Sequence, residues 1–136
     1  MSDQFSFTVY GTPKPKGSTI SFKHAKTGKV ITQNACEGLP FWMDVVRTAA
    51  LQARPDGWPM DRPVHVRAEF AFKRLKKPRV FHVTRPDVDK LLRAILDSLS
   101  GVVYADDSQV YELEGRKQYD DSLPTGEGVT VYLRAN

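Results

Sequence analysis

Cysteine is nearly absent from this chain: Cys36 is the only one in 136 residues. An intrachain disulfide is therefore excluded, and so is a zinc cluster built on thiolates. Long hydrophobic runs are missing too. The stretch from Thr48 to Ala53 carries no charge, but it falls far short of the ~20 apolar residues a helical membrane span needs. The opening MSDQFSFTVY has neither a basic n-region nor an apolar h-region, so no signal peptide and no membrane partner are expected. A reducing, cytoplasmic setting is the default expectation.

What is present is ordinary for a folded protein. Apolar residues make up 40% and charged residues 26%, which argues against disorder. A single domain over residues 1–136 is expected, long enough to bury a core without covalent staples.

The net charge of +4 is mild, but its distribution is uneven. Residues 1–34 carry five lysines against one aspartate, and residues 62–93 carry ten bases against three acids. Residues 94–136 reverse this, with three bases against eight acids. Lys73, Arg74, Lys76, Lys77, Arg79 and Arg85 crowd into one central segment. Such a run is an electrostatic footprint for a polyanion, although it also serves as a solvated loop. Pro78 and the lack of an apolar helical face argue against a membrane surface.

Phe5, Phe7 and Val9 alternate with polar residues, which predicts a strand over 4–10. A Pro/Gly loop with Lys14 and Lys16 follows, and residues 18–33 form a ragged hairpin turning at Thr27-Gly28. Pro40 opens a helix whose apolar residues run from Phe41 to Ala53. Phe41, Trp42 and Trp58 are expected in or at the edge of the core. Val64 to Phe72 alternate as a second strand, and Pro86 to Ser100 form the clearest helix, with Gly101 at its C′ position. Tyr111–Tyr119 and Val129–Arg134 read as two more strands, joined by the turn-rich 120–128. The order β-α-β-α-β-β predicts an α+β fold of two layers, a small mixed sheet with two main helices.

The second helix carries the chemistry. On a helical wheel its apolar residues occupy one side, and Asp89, Lys90, Arg93 and Asp97 form a polar stripe. Asp87 and Asp89 diverge if both are helical. They converge only if Asp87 sits outside the helix as its N-cap, with Asp89 in the first turn near the positive helix end. The plainer reading is that Asp87 caps and Asp89 pairs with Arg93 at i+4. A second acidic pair, Asp106-Asp107, follows a short apolar return segment that brings it back towards the helix start. Carboxylates gathered there repel one another without a cation, and an all-oxygen set selects Mg²⁺ or Mn²⁺. Asp97 lies about 12 Å beyond Asp89 along the axis, which assigns it to a surface or loop-tethering role.

At these residues the sequence resembles the RusA family of Holliday junction resolvases of bacteria and phages. The resemblance rests on Asp87-Val-Asp89-Lys90-Leu-Leu-Arg93-Ala-Ile-Leu-Asp97-Ser-Leu99-Ser-Gly101, then Asp106-Asp107-Ser-Gln109, with Pro13-Lys-Pro-Lys-Gly17 upstream. It implies a homodimeric, Mg²⁺-dependent endodeoxyribonuclease that nicks four-way DNA junctions, with Mn²⁺ as a substitute. It also implies that Asp87, Asp89 and Asp107 hold the metal, with Asp106 beside them. Lys90 stands where the family has asparagine, and Arg93 where it has the functional lysine. Both are expected among the catalytic residues with Asp87, Asp89 and Asp107: arginine stabilises phosphate charge but does not give up a proton, so any proton transfer falls to Lys90 on the same stripe. Lys14, Lys16, Lys73, Arg74, Lys76, Lys77, Arg79 and Arg85 are the expected DNA contacts. The alternatives are a non-catalytic nucleic-acid-binding module and a sugar-nucleotide transferase using Asp-x-Asp. The short chain and basic flank count against the transferase.

Overall fold

The computed structural model describes residues 2–17, 19–23, 25–34, 36–59, 61–74, 80–119 and 126–136. The elements run β1 (Gln4–Tyr10), β2 (Thr19–Lys23), β3 (Val30–Asn34), α1 (Leu39–Ala53), β4 (Val64–Phe72), α2 (Val88–Leu99), β5 (Val110–Tyr119) and β6 (Gly128–Ala135). A single 3-10 turn over Asp107–Gln109 leads into β5. The α+β reading holds, with β2 and β3 pairing as a separate antiparallel hairpin.

The main sheet has the order β1-β6-β4-β5. β6 runs antiparallel to both β1 and β4, while β5 lies parallel to β4. A parallel pair needs a long crossover, and α2 with its flanking loops supplies it. β5 and β6 are therefore consecutive in sequence but separated in space by β4.

Alternation decides the sheet's inner face. Val64, Val66, Ala68, Phe70 and Phe72 of β4 are buried, as are Val129, Val131, Leu133 and Ala135 of β6 and Phe7 and Val9 of β1. Trp42, Val46 and Ala50 of α1, with Leu91, Ala94, Ile95 and Leu99 of α2, complete the core. Trp58 is buried and its indole N–H donates to the Ser2 carbonyl at 2.9 Å. Phe41 departs from expectation: it is 75% exposed. Its neighbour Trp42 takes the inward position, and one step of ~100° around the helix turns Phe41 away from the core.

Two backbone features set α2 in place. Asp87 is extended at the N-cap (φ −72°, ψ 139°), so the helix begins at Val88, two residues later than the sequence pattern places it. At the other end, Ser100 is extended and Gly101 adopts a left-handed φ of 82°. The Gly101 N–H donates to the Tyr104 carbonyl at 2.7 Å, folding Val102–Tyr104 back under the helix end.

Candidate active site

The N-terminus of α2 is fixed from the opposite strand. Lys117 sits on β5 in the inward phase, paired in register with Phe70. Its ammonium donates to the carbonyls of Thr84 (2.7 Å) and Pro86 (2.9 Å). Burial lowers its pKa, and the charge of Asp87 opposes that shift. Lys117 thus ties down the loop that delivers Asp87. The inward phase of β5 was the available sequence signal, because a lysine there interrupts an apolar alternation.

Asp87 holds the N-cap position but makes no side-chain capping bond. Its carboxylate lies 3.4 Å from the Lys90 ammonium and near Lys117. The plain capping role is thus unfilled, and the carboxylate remains exposed to solvent. Asp89 is exposed in the first turn and makes no ion pair with Arg93 among the described residues. A concavity of about 490 Å³ opens beside Asp87. Lys14, Arg85 and Lys90 line it together with Pro13, Pro15 and Cys36.

The second acidic pair is held by Tyr104. This side chain is fully buried, and its hydroxyl donates to the Leu96 carbonyl at 2.7 Å. Leu96 lies in the last turn, where carbonyls lack intrahelical partners, so the bond serves the helix as well. Burial drives the Tyr104 pKa far upward, and Asp107, Asp97 and Asp106 add to the rise. Asp106 caps the 3-10 turn in a capping box with Gln109.

Asp106 and Asp107 act on each other's titration. The Asp106 side chain raises the pKa of Asp107, with desolvation and the charges of Asp106 and Asp97 acting the same way and Arg93 acting against them. Asp107 in turn lowers the pKa of Asp106. Like charges this close repel, and a cation relieves that repulsion.

The return segment brings Asp107 within electrostatic reach of Arg93 and Asp97 on α2. Among the described residues, no group of three His, Cys, Asp or Glu side chains is arranged to hold a metal ion. The expected convergence of Asp87, Asp89 and Asp107 is not seen. The acids divide into Asp87 with Lys90 and Lys117, and the Asp106–Asp107 pair near Asp97 and Arg93. The pair alone suits Mg²⁺, which is commonly held by one or two carboxylates and completed by substrate phosphate oxygens.

Asp97 has the tethering role that its position suggested. It pairs with Lys16 at 2.6 Å, and the Lys16 backbone N–H donates to the Lys90 carbonyl at 2.9 Å. These two bonds pin the N-terminal Pro/Gly loop along the polar stripe of α2. Gly17 lies so close that a β-carbon there would sit 3.3 Å from the Arg93 guanidinium. Of the other expected DNA contacts, Lys14 and Arg85 line the concavity beside Asp87. Lys73 packs over Gly126, and Arg74 lies 5.4 Å from the Tyr119 ring centre. Lys76, Lys77 and Arg79 lie outside the described residues.

Lys14, Arg85 and Lys90 thus line the concavity beside Asp87, and Arg93 acts on Asp107. A family model described as "Endodeoxyribonuclease RusA" matches residues 11–133, and the chain belongs to that family of DNA endonucleases. The match spans the whole of α2, both acidic pairs and the loop carrying Lys14 and Lys16. The chain is also similar to a Bacillus subtilis (strain 168) protein named "Uncharacterized protein YqaN". The two are 30% identical over 139 residues, covering 88% of this chain and 90% of that protein. No helix among the described residues is long and apolar enough to cross a membrane.

Proposed function

We propose that this protein is a Mg²⁺-dependent endodeoxyribonuclease selective for four-way DNA junctions, acting as a homodimer. The family supports the nuclease, and the adjacent acids Asp106 and Asp107, with Arg93 acting on Asp107, carry the site. Asp106 and Asp107 would hold Mg²⁺ (Mn²⁺ substituting), with Asp87 and Asp89 engaging it or a second ion once DNA is bound. Magnesium, when bound, supplies Lewis-acid charge that offsets charge developing at a phosphate.

The chain's own residues do the rest. Lys14, Arg85 and Lys90 bind phosphates of the incoming strand, which positions DNA without reading its sequence. Arg93 stands beside Asp107 and stabilises negative charge on the phosphoryl oxygens. It holds its proton throughout, so it is an electrostatic group and not an acid. Lys117 keeps Asp87 in place. Two sites related by a two-fold axis would nick a two-fold junction in pairs.

The test is cleavage of a synthetic four-way junction beside a linear duplex, with and without Mg²⁺. Paired nicks that need the metal, lost in Asp107→Asn while junction binding is retained, are the expected result. Binding without cleavage under any divalent ion would instead support a non-catalytic junction binder.

A further inference from the structure

The segment entering α2 pairs two opposite properties. Val80 is 88% exposed, Phe81 72% and Val83 58%, yet the loop that presents them is held firmly. Between them His82 turns inward and is only 8% exposed. Its ring lies 4.4 Å from that of Phe72 and 5.2 Å from that of Tyr119. A few residues on, the Lys117 ammonium grips the carbonyls of Thr84 and Pro86. A loop anchored at both points has fixed its backbone while leaving a large aromatic in water. Exposed apolar area of this kind is costly to keep, and on a rigid support it marks a contact surface.

The surroundings identify what covers it. From Lys73 to Pro86 the chain has six Lys or Arg and no acidic residue. Arg74 lies over Tyr119, directly behind the His82 anchor, and Arg85 faces the concavity beside Asp87. Such a field repels a second copy of the same loop and attracts a polyanion. A partner that offers phosphate charge and flat apolar faces together is nucleic acid. Duplex bases are already stacked, so only a base freed from its neighbours presents such a face. Aromatic side chains take up unstacked bases whatever their sequence, and apolar wedges hold base steps apart.

We propose that Phe81, supported by Val83, is a stacking wedge for an unstacked nucleobase at the branch point, placed by the His82 anchor just ahead of Asp87. The proposal rests on the junction-binding reading above and adds a residue that selects branched over linear DNA. It is tested with 2-aminopurine at the branch of a four-way junction, and with a linear duplex carrying the same label as control. Anisotropy reports binding, and the label's fluorescence reports stacking, both measured in Ca²⁺ to prevent cleavage.

The parent protein is expected to bind the junction and change the label's emission at the branch only. Phe81→Ala should keep its melting temperature, because the side chain is exposed. It should lose the emission change and roughly tenfold to a hundredfold in junction affinity, with duplex affinity unchanged. Phe81→Trp should restore both. If Phe81→Ala binds the junction with parental affinity and an intact emission change, the wedge is refuted. An altered sedimentation profile of Phe81→Ala with DNA signals intact would instead assign the patch to protein association and overturn the proposal. If the parent itself fails to bind the junction in the anisotropy arm, the junction-binding reading fails and the wedge falls with it.

Discussion

The contact between Gly115 and Leu92 gives the sharpest prediction. Gly115 lies in the middle of edge strand β5, where a β-carbon would stand 2.5 Å from Leu92 Cδ1, 2.9 Å from Cγ and 3.0 Å from Cδ2. Rotating the isobutyl tip relieves the methyl contacts but leaves Cγ where it is. Cγ moves only if χ1 changes or the helix shifts. Gly115→Ala should therefore cost about 1–3 kcal/mol of overpacking. Alanine returns about 0.5–1 kcal/mol through the smaller entropy of its unfolded chain. At the middle of both ranges the clash outweighs this, leaving a net loss of about 1 kcal/mol, or roughly 4 °C in melting temperature for a chain of this size. Leu92→Ala alone should also destabilise, because Leu92 packs against the core. The double variant removes the obstruction and should recover at least ~1 kcal/mol relative to the sum of the single changes. Thermal melts and urea titrations of the three variants close the cycle. Strict additivity, or a Gly115→Ala melt within about 1 °C of the parent, would refute the idea that helix–strand approach dictates glycine here.

Tyr104→Phe removes the hydroxyl that donates to the Leu96 carbonyl. A loss of about 1–2 kcal/mol is expected in denaturant titration at unchanged m-value. Burial, and then the charge of Lys117, hold His82 below the ordinary histidine value of 6.5. The unfolded chain therefore takes up a proton before the folded one as pH falls. Stability should be flat above about pH 7 and decline below it until the folded-state value is passed. Equilibrium unfolding of His82→Phe at pH 7.5 and 5.5 should show a smaller drop than the parent, and an equal drop would remove His82 as the source. The Lys16–Asp97 pair keeps roughly a third of each side chain exposed. Lys16→Ala and Asp97→Ala should each cost no more than ~1 kcal/mol. Non-additivity in the double variant, read from urea midpoints, is the signature of the pair.

The parts of this molecule legible in the sequence are those governed by local periodicity. The alternation in β1, β4 and β6 and the apolar side of α2 located nearly the whole core, and Asp87 offered itself as an extended N-cap although the pattern began the helix at Pro86. Periodicity does not state which strands become neighbours. The placement of β5 against β4 rather than β6 depends on the crossover through α2, and Gly115, read only as a strand residue, is where that crossover comes closest. The site divides along the same line. Asp87, Asp89, Asp106 and Asp107 stand out by spacing, yet where the second pair lands depends on how Tyr104 seats beneath the helix end. That seat places Asp107 within electrostatic reach of Arg93 and Asp97. Asp97 is matched by Lys16, whereas Asp107 faces the like charge of Asp106 with Arg93 acting against it. The most acidic point of the site is thus held by a buried tyrosine rather than by the helix N-terminus. For this reason Tyr104→Phe, which leaves every carboxylate in the chain, is expected to loosen the pair's position, whereas Asp89→Asn is not.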